Sequence, residues 1–422
     1  MISAQTLSGI ADTFGTPVFV YESDVLTQRA ADLRDLGDGE LEVFFSLKSN
    51  PNASIVAALR QNGVRAEVCS LAELRTAELA GHQPQDIIFL GPGKTDRELR
   101  ACVTTGVYAV VVESFDELAR LDALAKSMGC VQDVMLRVNP ELSTSGSRLS
   151  MAGKPRQFGI DESQLRELSA LPEYKGVRVM GVQAYLGTRI LDADVVLQHT
   201  RYILRMAEEL AVQFGFDLDA VDVGGGLGVP YFEGEQSIDL FAIHEPMRQL
   251  LRGFRGRHSQ TRLILEAGRF LVAESGHYVT RVVSTKSSKG RRFAICDGGT
   301  NHHMAAVGIG SFVKRNFPLR SCAAGAVDNW TLTGPLCTPN DTIGSKVSLS
   351  GIEVGACVVV DASGAYGPTA SPGRFLSHGF PAEVLLVDGE AVLIRRRETV
   401  EDILSGQILF TSTTKKEERH VA

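Results

Sequence analysis

Residues 43–63 read VFFSLKSNPNASIVAALRQNG, and the order of chemistry within them decides the fold. A short apolar run of strand character ends on Lys48, a polar turn follows, and Ile55, Val56 and Leu59 then recur at the spacing of one helix face. A lysine closing a buried strand is costly to desolvate, so its position calls for a chemical reason.

The same alternation repeats as far as residue 270. Strand-like runs appear at EVFFSLK, VRAEVCS, DIIFLGPG, YAVVVES, DVMLRVNP, VMGVQAYLG, AVDVGGGLG and RLILEAGR. Amphipathic stretches separate them, among them LAELRTAELAG, TDRELRACVTTG, FDELARLDALAKSMG and the long 192–214 segment. Eight strands with helical spacers predict an α/β protein built on a (β/α)8 barrel of the TIM type, with a doubly wound open sheet as the alternative.

Beyond residue 270 the texture changes to β-branched runs and Gly/Pro turns: HYVTRVVSTKSS, RRFAICDGG, NWTLTGPLC, SKVSLS, ACVVVDASGAYG, PAEVLLVDG and AVLIRRR. This predicts a C-terminal all-β domain. The expected division is a barrel over 26–270 and a β-domain over 271–422, joined by N-terminal residues 1–25.

Bulk composition narrows the function classes. The 422 residues are 44% hydrophobic and 22% charged, with a formal net charge of −7, which describes a globular chain and argues against a general nucleic-acid binder. The N-terminal stretch lacks a basic region followed by an apolar run, and no segment reaches the roughly 18–20 apolar residues of a membrane span. A cytoplasmic protein without nucleic-acid or membrane partners is expected. The seven cysteines are scattered and form no CxxC pair, which disfavours disulfides and structural zinc; most read as small buried hydrophobes.

In a barrel, Lys48 stands at the C-terminal mouth, where such folds keep their chemistry. Gly224, Gly225, Gly226 and Gly228 follow the seventh strand, where backbone N–H groups can approach a phosphate; a tight turn would explain the run equally well. LEAGRF ends the eighth strand with Glu266, Gly268 and Arg269, the arginine suited to a phosphate oxygen; an internal ion pair is the plainer reading. A lysine, a phosphate cradle and a carboxylate at one mouth fit pyridoxal 5'-phosphate. Lys48 would carry it as a Schiff base, the glycines and Arg269 would hold its phosphate, and Glu266 would keep its ring nitrogen protonated.

These residues resemble the fold-type III pyridoxal-phosphate decarboxylases, which include the diaminopimelate, ornithine and arginine enzymes. The resemblance runs along nearly the whole chain: FFSLKSN, AEVCSLAEL with Glu67 and Glu73, RVNP, FGI, the triple glycine, EAGR, CDGG, GPLCTPND and GAYG. It implies cofactor roles for Lys48, Gly226, Glu266, Arg269 and Tyr366. It also implies a homodimer with shared active sites, in which Cys337 of GPLC reaches the neighbouring site as proton donor.

Departures bear on the substrate. Family members acting on free diamino acids follow the cysteine with an acidic residue, whereas Thr338 stands here. By alignment of CDGGTNHHMAAVG, Ala305 occupies the place of an arginine found in the diaminopimelate enzymes. Tyr185 replaces the histidine that stacks on the cofactor, Thr188 replaces a phosphate-binding serine, and Gln157 replaces a lysine before FG. The segments GKPRQFGIDES, GGTNHHMAA and SGAYGPTASPGRFLSHGFPAE resemble in particular the butirosin-pathway subgroup, which decarboxylates a glutamyl group held on an acyl carrier protein. The exosortase-associated decarboxylases are similar as well.

The resemblance thus implies a carboxy-lyase for a carrier-bound glutamyl group, with a free amino acid such as diaminopimelate or ornithine as the alternative substrate. A racemase or an inactive binding homologue is the remoter reading. The basic stretches 286–292 and 314–315 could meet an acidic carrier, although solvated surface charge explains them too. His302 and His303 would point to opposite faces of a strand and so cannot easily share one ion. They are assigned a substrate-contact or structural role, and no metal is expected.

Overall fold

A computed structural model describes residues 2–142, 149–150, 155–307 and 315–410. Lys314, in the second basic stretch, and residues 411–422, in the expected β-domain, lie outside the described residues.

Eight short parallel strands close into a barrel. They are β2 (Leu41–Ser46), β3 (Arg65–Val68), β4 (Ile87–Phe89), β5 (Ala109–Val112), β6 (Gln132–Asn139), β7 (Val177–Ala184), β8 (Ala220–Asp222) and β9 (Arg262–Ala267). Their spatial order is β5-β4-β3-β2-β9-β8-β7-β6, and β6 pairs back onto β5. All eight coincide with the runs read from sequence. The strands are buried along nearly their whole length, as parallel strands covered by helices on one side and filled by side chains on the other must be.

The intervening helices start where local chemistry starts them. Ser70, Thr95 and Ser114 each accept a hydrogen bond from the backbone N–H three residues on, opening the helices Leu71–Leu79, Asp96–Thr105 and Phe115–Ser127. At the second of these, Glu98 returns a bond to the Thr95 N–H and completes a capping box. Each cap sits just after a strand's C-terminal end, so the same residues that start the helices shape the mouth of the barrel.

The second body is a mixed sheet. β1 (Val18–Glu22) pairs antiparallel with β10 (Gly276–Ser288) and parallel with β15 (Ala382–Val387). The sheet extends on one side through β11 (Arg291–Cys296), β12 (Val327–Thr333) and β13 (Thr342–Ser350), and on the other through β16 (Glu390–Arg395). β14 (Cys357–Val360) joins through β10. Phe19, Tyr21 and Tyr278 are fully buried in the same continuous apolar core as the barrel residues, so the two sheets share one interior.

No helix among the described residues is long and apolar enough to cross a membrane. The seven cysteines are all free; Cys102, Cys296 and Cys357 are buried, Cys69 and Cys322 half-buried, and Cys130 and Cys337 exposed. Fewer are core residues than their hydrophobic character suggested, because several fall on turns and strand ends rather than on inward-facing positions.

Candidate active site

β2 ends at Ser46 rather than at Lys48. The chain breaks into a single 3-10 turn over Leu47–Ser49, closed by Asn50 N–H donating to Leu47 O at 2.9 Å and Ser49 Oγ donating to Ser46 O at 2.8 Å. Those bonds use the backbone groups that would have continued the ladder, and the lysine leaves the sheet at the mouth.

Lys48 Nζ donates to both oxygens of Glu67, at 3.0 and 3.2 Å. Glu67 stands opposite Ser46 on β3 and is wholly buried. The lysine side chain keeps 43% of its accessibility and lines the cavity at the barrel mouth. Burial opposes the ammonium charge, but Glu67 foremost, with Cys69, Glu266 and Tyr366, holds the Lys48 pKa well above the usual lysine value. Burial likewise opposes charge on Glu67, and Lys48 with hydrogen bonds from Ser46 and Cys69 keeps its carboxyl below the ordinary range. Glu73 accepts the Cys69 N–H at 2.7 Å and so fixes the turn that carries this group.

Across the mouth, Glu266 on β9 is buried and accepts from Gln183 Nε2 at 2.9 Å. Burial first, then the charge of Glu67, raises its pKa above the usual carboxylate value. Arg269, three residues on, donates from Nη1 to Tyr231 Oη at 2.8 Å and lies over the rings of Tyr231 and Tyr366, 5.3 and 4.7 Å from their centroids. Tyr366 is held in the left-handed region at φ 56°, and its N–H donates to Ser49 O at 2.7 Å, tying the β-domain loop to the lysine turn. Burial pushes the Tyr185 phenol up to about 12, so its ring presents a neutral hydroxyl.

The three glycines are required by close approach. A Cβ on Gly225 would stand 2.0 Å from Glu266 O, and one on Gly226, at φ 104°, 2.1 Å from Gly187 O. Any side chain there would collide with the backbone of β9 or of the Gly187 turn and push apart the strand ends that frame the mouth.

Lys48, Tyr185, Thr188, Glu266, Arg269 and Tyr366 line one cavity of about 480 Å³, whose far wall is formed by Arg137, Phe158 and the Leu90–Lys94 loop. Gly226 and Gly268 line a smaller cleft that adjoins it and shares those six side chains. Pyridoxal phosphate fits these residues on three counts. Arg269 Nε is a buried donor without a protein acceptor, as a phosphate-binding arginine would be in the protein alone. Gly226 lines the adjoining cleft with backbone alone. A lysine amine from the turn after β2 and a carboxylate from β9 line the same space.

Other residues singled out in the sequence lie elsewhere. Cys337 is exposed and Thr338 half-buried, and neither lines the cavity of its own chain. Gln157 is exposed and Ala305 half-buried. His302 and His303 lie in a turn rather than on a strand, and both point inward, 4% and 0% exposed. His302 Nε2 meets Gly379 O at 2.9 Å, and His303 Nε2 meets Ser363 Oγ at 2.8 Å. Burial lowers their pKa values to about 4 and about 3, leaving both rings neutral. The turn folds both rings inward, and neither lines the cavity of its own chain. Among the described residues no group of three His, Cys, Asp or Glu is placed to hold a metal ion.

The structure also adds residues. Asp222 and Gln183 stand behind Glu266, and a buried chain lines the far wall. In that chain Lys94 Nζ pairs with Glu117 at 2.6 Å, Glu117 accepts the Glu113 N–H at 3.1 Å, and Glu113 pairs with Arg137 at 2.6 Å. For Asp222, Glu113 and Arg137 the available signal was a lone charged residue inside or just after an apolar strand, notably the aspartate of AVDVGGG.

The family described as pyridoxal-dependent decarboxylase, pyridoxal binding domain, matches residues 24–273. The chain belongs to this family. It is a pyridoxal-phosphate-dependent carboxy-lyase. The decarboxylase is 34% identical over 410 residues to the L-glutamyl-[BtrI acyl-carrier protein] decarboxylase of Niallia circulans, covering 95% of this chain and 96% of that one. It is 30% identical over 405 residues to a diaminopimelate decarboxylase of Zymomonas mobilis, covering 94% of each. The crystal structure of Helicobacter pylori diaminopimelate decarboxylase complexed with L-lysine superposes with a TM-score of 0.84 at 27% identity, covering 94% of this chain and 98% of that one.

Proposed function

We propose that this decarboxylase removes the α-carboxylate of a glutamyl-type acyl group carried on an acyl carrier protein. The observation that carries the reading is the loop Leu336–Asp341. Its only carboxylate, Asp341, is buried, and both oxygens are engaged: Oδ1 by Thr300 N and Oγ1 at 2.8 and 2.9 Å, Oδ2 by Leu336 N at 2.8 Å. Thr338, beside Cys337, is neutral. A substrate bearing a far-end ammonium would find no free anion on this loop, whereas a far-end acyl thioester needs none. The similarity to the glutamyl-carrier decarboxylase of Niallia circulans supports the same choice. The similarity to diaminopimelate decarboxylases keeps a free diamino acid as the second reading.

In this reading residues 26–270 form the cofactor-binding unit and 271–422, with 1–25, the β-domain. Lys48 is the attachment residue, Arg269 and the Gly224–Gly226 backbone hold the phosphate with Thr188, Tyr185 lies against the ring, and Glu266 faces the ring nitrogen. Gly268 gives the chain room to turn from one to the other, and Tyr366 closes the side toward the β-domain. Bound there, pyridoxal phosphate supplies the electron sink for the bond broken at Cα. The protein's own tasks are to orient the Cα–carboxylate bond, to exclude water, and to return a proton to Cα from the Cys337 thiol. As the family resemblance implies, Cys337, exposed on its own chain, would act in the cavity of a second copy, in a homodimer with shared sites. The exposed β10–β11 hairpin, with Lys286, Lys289, Arg291 and Arg292, is the surface offered to an acidic carrier. Arg315 is already paired with Glu235 at 3.6 Å.

The test is CO2 release from glutamyl-carrier protein against free glutamate, diaminopimelate, ornithine and lysine. Carrier-bound glutamyl should be turned over well and the free amino acids poorly, and Thr338→Glu should impair the carrier-bound substrate by about tenfold or more through an unpaired carboxylate. Efficient decarboxylation of free diaminopimelate by the wild type would end the carrier reading and leave the decarboxylase assignment standing.

A further inference from the structure

Glu266 does not stand alone. Asp222, at the end of β8, is wholly buried, and its Oδ1 accepts the Gly224 N–H at 2.8 Å. Its second oxygen, Oδ2, is buried with no hydrogen-bond partner in the protein. On the neighbouring strand Gln183 stands at the position paired with Asp222, and its Nε2 reaches Glu266. Gln183 Oε1 also lacks a donor. Two buried acceptors on paired positions are thus unmatched, and Asp222 pairs with Ile264 on β9, two positions before Glu266 and on the same face, so the two carboxyl groups are neighbours.

The charges around this group come from every strand packed against it: Glu266 from β9, Glu67 from β3, Lys48 from the turn after β2, and Arg137 from β6. Lys48 is committed to Glu67 at 3.0 Å and Arg137 to Glu113 at 2.6 Å. A second carboxylate beside Glu266 would have one backbone N–H as its only compensation, and two like charges at that spacing do not both ionise in a dry site. One proton on Oδ2 removes the repulsion and supplies the missing donor.

We propose that Asp222 is held as a neutral carboxylic acid that donates its Oδ2 proton to Glu266, making it the positioning residue for the carboxylate that faces the cofactor. Oδ1 is anchored by the glycine turn, so the residue links the phosphate cradle and the ring-facing carboxylate through one rigid side chain. Glu266 is then gripped from both sides, by Gln183 N–H and by Asp222 O–H, and stays ionised for a cationic ring nitrogen. Burial and the neighbouring Glu266 charge both raise the Asp222 pKa well above the carboxylate range, in the same direction. The proposal rests on the reading of Glu266 as the cofactor-facing group, but not on the identity of the substrate.

The test uses infrared difference spectra of the holoenzyme in H2O and D2O, comparing wild type with Asp222→Asn at neutral and alkaline pH. The expected result is a protonated-carboxyl stretch in the wild type that persists above neutrality and is missing from D222N. Absence of any such D222N-sensitive band overturns the proposal. The positioning role is read separately by titrating the full-length apoenzyme with pyridoxal phosphate. D222N, which keeps both an acceptor for Gly224 and a donor for Glu266, should bind within about threefold of wild type, whereas Asp222→Leu should lose about tenfold or more. Equal loss in both variants, or no loss in D222L, overturns that role. Thermal unfolding of each variant identifies a D222L chain that has failed to fold, in which case the infrared comparison alone decides. Glu266→Gln with unchanged cofactor affinity would refute the ring-facing reading of Glu266 while leaving the carboxyl band of Asp222 in place.

Discussion

Two regions of this decarboxylase hold buried ionisable side chains and use them differently. At the barrel mouth, Lys48, Glu67 and Glu266 converge on a cavity, and their charges perturb one another. In the β-domain turn, His302, His303 and Asp341 are 4%, 0% and 2% exposed, yet the histidines are neutral and the aspartate is spent on backbone N–H groups and a threonine hydroxyl. Burial of a polar group therefore does not mark a site. What separates the two regions is that Lys48, Glu266 and Arg269 line an open cavity, whereas His303, whose Nδ1 is as unmatched as Arg269 Nε, is closed in by packing.

The largest effect that could break this contrast is at Lys48. Lys48→Ala should lower CO2 release by on the order of 10³-fold or more, the scale of losing a reacting group. Borohydride reduction followed by peptide mapping should place the cofactor on Lys48 in the wild type; cofactor on another lysine would end the assignment.

Next in size, Arg269→Ala should weaken pyridoxal phosphate by about 10–100-fold, as expected for a lost charge-assisted contact to a phosphate, measured by titration of the apoenzyme. If affinity held and only stability fell, Arg269 would belong with the β-domain groups as a structural residue.

At the turn the order of effects should reverse. Asp341→Ala strands the N–H groups of Thr300 and Leu336, so it should cost about 1–3 kcal/mol in denaturant unfolding, while the absorption spectrum of bound cofactor stays that of the wild type. Any loss of activity should appear through the loop that carries Cys337 and Thr338.

The smallest effect sharpens the comparison through pH. His302 and His303 have folded pKa values of about 4 and about 3, lowered by burial, whereas unfolded histidine titrates near 6.5. Below about pH 6.5 the unfolded chain binds protons the folded one refuses, so stability falls as pH drops, by up to about 1.4 kcal/mol per pH unit for each ring. His303→Gln should make the decline between pH 6.5 and 4.5 shallower by one proton. His277, whose pKa is raised despite its burial because Asp361 and Glu22 bind its charge, acts with the opposite sign and loses its contribution as pH rises.

Periodicity and local chemistry determined much of this protein before any coordinates. The eight apolar runs, the amphipathic spacers between them and the change of texture near residue 270 act over a few neighbouring positions, so the barrel and the second sheet were legible in the chain. Lys48, Gly226, Glu266 and Arg269 were legible too, because a charge or a glycine run at a strand end contradicts its surroundings. The pairing of those groups was not. That Glu67 takes Lys48, that Asp222 and Gln183 stand behind Glu266, and that the two adjacent histidines both turn inward depend on side chains from strands far apart in sequence. Only closure of the barrel and packing of the β-domain bring them within a few ångströms, where burial and neighbouring charge decide which group keeps its proton.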